Sequence, residues 1–308
     1  SEEGVTWYTP SQYHISTAEN DRERQGFTTS LQWANKDETV QVTLEHINSK
    51  ASLEWNERRI GQAAQGFKSF MASSHDWVDE SEEGRPRTFD DNGFLTSGVG
   101  LGVNAEVPLL YITRYNYNEN TVEDTSFNVK LTPNDRLTVE LDYQHIDSEK
   151  LVHNYSMSGQ TRGDRVGNLL PAYLDLRGDH PTIEFLSDAD FKGFIDEEKT
   201  QPDIYLGSGM QQEEHNTAKA DSFQIDAEYA FDGIFTAVKA GAYYSDKDLT
   251  VRDTEYAGWS PISTPWVAEQ RVQSAAATHP ELYDEMDMSD YYGGEVIQGD
   301  LQTFLFPR

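Results

Sequence analysis

Residues 127–149, FNVKLTPNDRLTVELDYQHIDSE, alternate so strictly that few folds remain open to them. Apolar side chains stand at Phe127, Val129 and Leu131, and again at Leu137, Val139, Leu141 and Tyr143. The other phase carries Asn128, Lys130, Thr138, Glu140, Asp142 and Gln144, and Pro133-Asn134-Asp135-Arg136 lies between the two runs. A period of two on both sides of a turn predicts an antiparallel hairpin with one apolar and one polar face. Two further stretches repeat the unit. Residues 27–50 place Phe27, Leu31 and Trp33 before the turn Asn35-Lys36-Asp37-Glu38, and Val40, Val42 and Leu44 after it. Residues 223–248 place Phe223, Ile225, Ala227 and Tyr229 before a tight turn at Asp232-Gly233, then Ile234, Thr236, Val238, Ala240 and Ala242.

The segments between and after these hairpins, about 51–111, 150–216 and 249–308, are long. The chain is therefore expected to be all-β and antiparallel, with short turns at one end and long loops at the other. At 308 residues it could hold one large or two ordinary domains. A net charge of -30 argues against nucleic acid or an anionic membrane surface as the principal partner. Cysteine is absent, which removes disulfides, thiolate metal sites and cysteine nucleophiles. The mean hydropathy of -0.71 reads as soluble, yet membrane β-barrels show alternation rather than hydropathy peaks.

Two readings of the apolar face compete. In a soluble sandwich it is a core, and strands are about 5–6 residues long. In an outer-membrane barrel it meets lipid, periplasmic turns are short and extracellular loops are long. Here the alternation continues past the apolar part, through Arg114, Asn116, Asn118 and Glu119, so these strands are expected to project beyond a bilayer. Aromatic residues gather near strand ends, at Trp33, Tyr143, Tyr229, Phe231, Tyr243 and Tyr244, where an interfacial girdle would put them. Pattern favours a transmembrane β-barrel portion.

The Arg22-Glu23-Arg24 opening of a strand, the Pro-Asn-Asp-Arg turn and the Trp-Ser-Pro-Ile-Ser run at 259–263 resemble barrel segments of TonB-dependent outer-membrane receptors. The likeness is to the large-looped subclass linked to carbohydrate uptake, and it extends over nearly the whole chain. It implies that residues 1–308 are an interior part of one barrel domain in the bacterial outer membrane. The plug, the barrel closure and the segment that meets a periplasmic energy-coupling protein would then lie outside this chain. It also implies energised import of a substrate, an oligosaccharide in that subclass, with outer-membrane lipid around the barrel, no bond broken, no cofactor and no metal. A secreted β-rich glycan-binding or glycan-cleaving protein and a passive porin stand as alternatives.

Recognition would fall to the loops, expected to fold inward over the lumen above a polar wall that includes Glu140, Asp142, Gln224 and Asp226. Trp77, Trp259 and Trp266, with Tyr173, are the candidate substrate-binding residues. Sugar C–H faces stack on aromatic rings while carboxylates and amides bond the hydroxyls. Trp55 is a further tryptophan expected in a loop. The acidic runs 76–91 and 281–290, with seven and five carboxylates, read as solvated loops rather than cation sites. Residues 98–103, GVGLGV, read as a flexible loop, and His46 and His145 as girdle positions.

Overall fold

The computed structural model describes residues 7–10, 13–62, 76–79, 81–101, 109–161, 172–186, 204–254, 258, 260–263 and 268–308. In chain order the strands are β1 (His14–Ala34), β2 (Val40–Gln62), β3 (Asp76–Val78), β4 (Thr88–Phe89), β5 (Leu95–Leu101), β6 (Leu109–Asn134), β7 (Leu137–Thr161) and β8 (Ala172–Asp175). They continue with β9 (Thr182–Phe185), β10 (Ile204–Ala230), β11 (Ala237–Thr250), β12 (Ser260–Pro261), β13 (Tyr283–Asp287), β14 (Ile297–Gln298) and β15 (Thr303–Pro307). The chain is all-β and almost wholly antiparallel; the parallel pair is β14 beside β9.

Six long strands form one sheet in the order β1-β2-β6-β7-β10-β11, with β12 pairing the far end of β10. The expected hairpins β1-β2, β6-β7 and β10-β11 are all present. Because β2 pairs β6 and β7 pairs β10, the three hairpin turns share one end of the sheet and the long connections share the other. The turns differ in make-up. Asn35 closes the first with its side chain, whose Oδ1 accepts from Val40 N at 3.1 Å and whose Nδ2 donates to Thr39 at 2.8 Å. The second is tighter than expected, for β6 runs to Asn134 and only Asp135 and Arg136 turn; Asn134 Oδ1 accepts from Arg136 N and Leu137 N. The third is longer than Asp232-Gly233. Phe231 N donates to Thr236 O across a six-residue connection, and Ile234, 99 % exposed, stands at its tip rather than in a strand.

Strands also run further than the apolar pattern: β6, β7 and β10 have 26, 25 and 27 residues, about 80–90 Å at 3.3 Å per residue. Trp55 is therefore not a loop residue but lies in β2, opposite Asn20 and Asn116.

Directly opposed residues share a face, so the register assigns every side chain. On one face Leu31, Leu44, Phe127, Tyr143, Phe223 and Tyr244 form a single row across all six strands. Trp33, Val42, Val129, Leu141, Ile225 and Ala242 form the next row toward the turns, followed by Val40, Leu131, Val139, Ala227 and Ala240. Leu137, Tyr229 and Val238 end the band. It is open to solvent: Leu31 is 70 %, Trp33 58 % and Tyr244 66 % exposed.

The core lies elsewhere, at the loop end, where β3–β5, β8, β9 and β13–β15 form two small sheets packed on the long strands. Phe185, Phe304, Phe306 and Ile297 meet Ile15, Ile60, Tyr111, Ile204 and Leu206 there. Phe306 sits edge-on to Tyr111 at 6.1 Å, and Phe185 edge-on to Phe304 at 5.0 Å. The sheet's share of this core comes from the same face as the apolar band, and a bulge arranges it on β10. The register shifts between Leu206 and Ser208; without the shift, Ile204 and Leu206 would fall on the polar face with Gln212 and Gln224. The described loop segments thus pack against the apolar-band side of the upper sheet, which corrects the expectation that the loops fold inward over a lumen. The stretch 98–103, read as a flexible loop, is also corrected over 98–101, while 102 and 103 lie outside the described residues. Residues 95–101 form β5, with Ser97 and Val99 fully buried between β3 or β4 and β8.

Phe306→Ala is expected to destabilise the head by about 3–5 kcal/mol, the usual cost of emptying a buried aromatic site. Urea-induced unfolding followed by limited proteolysis should show segment 283–308 released first, with the six-stranded sheet still protected.

Candidate functional site

The face opposite the apolar band is polar directly behind it and mixed above, where Ile47, Val122, Ile146, Leu53, Val152 and Ile112 interrupt the polar residues. At the turn end Thr43, Asn128, Asp142, Gln224 and Tyr243 form one row behind the row of Trp33 and Leu31. Asn128 donates to Asp142 at 2.6 Å, Lys130 pairs Glu140 at 3.0 Å and Lys239 pairs Glu228 at 2.8 Å. Thr43, Glu45, Asn128, Asp142, Gln144 and Gln224 help line an open hollow of about 540 Å³ on this side, so the polar face is the concave one. The expected polar wall of Glu140, Asp142, Gln224 and Asp226 is on it.

Toward the loop end the same face changes character. Asn20, Trp55, Asn116, Asn154 and Gln212 lie in one row across five strands. Trp55 is half-buried, Asn116 is buried, and the enclosed Oδ1 of Asn154 has no hydrogen-bond partner among the described residues. The rows to either side hold Arg22, Arg24, Arg59, Arg114 and Lys150 against Glu57, Glu214 and Asp253. Arg114 pairs Glu57 at 3.3 Å and Lys150 pairs Glu214 at 2.8 Å. Arg22, Arg24 and Arg59 form no ion pair among the described residues. At the same height the apolar-band side carries Glu19, Asp21, Glu23, Glu54, Glu119, Glu149 and Glu213 against Lys50 and Arg58. The two sides of one sheet thus differ in the sign of their charge.

The head holds the remaining candidates. Tyr173 lies in β8, 9 % exposed and clustered with Val99 and Leu186, so its ring belongs to the packing of the head. Its hydroxyl accepts from Arg177 Nη2 at 3.0 Å. Trp77 lies in β3 opposite Gly100; its side chain falls outside the described residues, as do Trp259 and Trp266 entirely. Within the first acidic run, Asp90 Oδ1 accepts from the backbone N–H groups of Asn92 and Phe94, and Asp79 accepts from Arg87 N and Ser81. These carboxylates close turns. Arg85 grips Glu184 with two bonds of 2.9 and 2.7 Å, joining the two loop excursions.

His46 and His145 fall in the row just above the apolar band, on its side of the sheet. His145 Nδ1 lies 2.8 Å from Asp221 and His46 Nδ1 2.9 Å from Thr125, so each ring is held by a cross-strand partner. Sequence reasoning sets Trp55 in a loop and gives no role to Arg22 and Arg24. The signal that places them is nonetheless present, since Arg22 and Arg24 are in phase with the polar Ser30 and Gln32 of β1, and Trp55 with Thr43 and Glu45 of β2.

A pH test follows from the Asp175–Arg177 pair. The Arg177 side chain, which donates to both carboxylate oxygens at 2.8 and 2.6 Å, holds the Asp175 carboxyl below the usual range. A depressed carboxylate contributes stability above its unfolded value, near 4, and loses it as pH falls through the folded value. The head is therefore expected to weaken between about pH 4 and more acid conditions, and Arg177→Gln should flatten that slope in thermal melts across the same range.

A scan against models of protein families and a search of curated proteins returned no match to this chain.

Proposed function

We propose that this chain is an interior part of the β-barrel of a bacterial outer-membrane nutrient receptor of the TonB-dependent kind, importing an oligosaccharide. One observation carries the reading: an exposed apolar band spans six adjacent strands on the convex face, and the concave face directly behind that band is polar. In water such a patch far exceeds what a monomeric surface tolerates. In a bilayer it is the lipid-facing band of a barrel wall.

The geometry of the band agrees. From the row of Tyr143 and Tyr244 to that of Tyr229 and Val238 is six residues, about 20 Å along the strand. Tyrosine rings stand in both of its end rows, Tyr143 and Tyr244 in one and Tyr229 in the other, and bacterial outer membranes are thin. The free edges of β1 and β11 would each need a further strand, because backbone groups left unpaired in hydrocarbon cost several kcal/mol. Those strands, the plug and the segment that meets the energy-coupling partner belong to parts of the receptor outside this chain. Binding and passage occur on the concave side, and transport breaks no bond.

The full-length protein should fractionate with outer membranes, need detergent for solubility and show heat-modifiable mobility on gels. Solubility without detergent would instead favour the secreted glycan-binding reading. Val139→Arg, in the band, should cost about 2–4 kcal/mol in barrel stability, while Glu140→Gln on the concave side should cost little. Equal costs in denaturant titrations of detergent-solubilised protein would sink the membrane assignment.

A further inference from the structure

We propose that the upper concave face is the binding wall for an acidic oligosaccharide, one bearing carboxylate or sulfate groups. This rests on the receptor reading above and narrows its substrate class. The row Asn20, Trp55, Asn116, Asn154 and Gln212 crosses five strands, so it extends about 19 Å at the usual strand spacing. Side-chain amides both donate and accept, which matches sugar hydroxyls, and an indole face takes the apolar C–H surface of a pyranose. Asn154 Oδ1, enclosed and without a partner among the described residues, is an acceptor that a ligand hydroxyl would satisfy.

A neutral glycan would use this row and leave the arginines idle. Arg22 and Arg24 stand two residues apart on one strand and so project from the same face, in the two rows next to Asn20 on the turn side. Arg59 lies two rows beyond Trp55 on the loop side. With Arg114 and Lys150 already paired to carboxylates, these three guanidinium groups outnumber the one further carboxylate among the described residues of the wall, Asp253, and leave it with an excess of positive charge in a chain of net charge -30. The outward carboxylates project to the other side of the sheet, one screening length of about 8 Å away in physiological salt, so at the wall they count for less than the guanidinium groups a ligand would touch. Guanidinium forks bind carboxylate and sulfate oxygens two at a time, which would hold an anionic sugar along the wall.

The full-length protein in detergent is titrated calorimetrically with three probes of similar length: a maltohexaose, an oligogalacturonate and a sulfated galactan oligosaccharide. One of the two anionic probes should bind at least tenfold more tightly than maltohexaose, and its affinity should fall with added salt. The arms separate carboxylate from sulfate recognition. Arg22→Gln with Arg24→Gln should remove that tenfold preference and most of the salt dependence, with gel mobility unchanged. Trp55→Ala should weaken every saccharide that binds. Preference for the neutral probe, or an arginine double variant with the affinity of the parent, would overturn the acidic-sugar assignment and leave the receptor reading standing. Binding of a metal chelate with no saccharide bound at all would remove both the assignment and the oligosaccharide substrate on which it rests.

Discussion

Every assignment of a side chain to a face depends on backbone ladders that do not slip. β2 and β6 pair without a shift from Val40 opposite Leu131 to Gln62 opposite Leu109, and β1 and β2 from Ala34 opposite Gln41 to His14 opposite Gly61. A slip of one residue would carry each apolar side chain to the polar face and each charge to the apolar one. Hydrogen bonds cannot prevent this, because a slipped ladder makes nearly as many. Register is held by side chains, through the apolar rows at the turn end and the closed Asn35 turn. Near the loop end, the bulge at Gly207 reverses the phase of β10 where the core needs it, turning Ile204 and Leu206 toward Phe304 and Phe306.

The lower half of this sheet is legible in the sequence because its signal is local. Alternation at 127–143 and 223–229, read with turn residues, places three hairpins and their faces, except that Tyr243, expected in the girdle beside Tyr244, stands on the polar face opposite Gln224. The third turn misleads since Ile234 continues the apolar phase, yet a glycine at 233 and the exposed pair Ile234 and Phe235 form a wider connection. The head is not legible, for its strands are two to seven residues long and their apolar partners lie far apart in the chain. Phe185 with Phe304, or Arg85 with Glu184, cannot be paired from spacing. Residues 95–101 mislead for a related reason. Glycines at 98 and 100 look like a loop, but on the alternate phase Leu95, Ser97 and Val99 form a buried strand face. Trp55 is misplaced because the regular apolar pattern ends near Leu44. The stretch that carries β2 on to Gln62 sets polar residues on both faces, so its two phases show no contrast for the eye to follow.

Whole-chain charge is a poor guide to what such a wall binds. A net charge of -30 excludes an anionic partner only if every partner meets the average surface, and a sheet has two surfaces. Alternation lets neighbouring residues on one strand face different solvents, so Glu23 can stand on one side while Arg22 and Arg24 stand on the other. Self-repulsion among the outward carboxylates is tempered by water and by cross-strand pairs such as Lys50 with Glu119 at 2.8 Å. On the concave side, where walls limit water, the same number of like charges would repel more strongly, and this limits how many unpaired cations a stable wall can carry. In the upper rows of that side, two of the five cations are tied to Glu57 and Glu214, and Arg22, Arg24 and Arg59 remain beside the one further carboxylate among the described residues, Asp253. That remainder is small enough to fold with, and it makes the upper rows of the concave face locally positive while the rows behind the apolar band, with Glu140, Asp142, Asp226 and Glu228, are not.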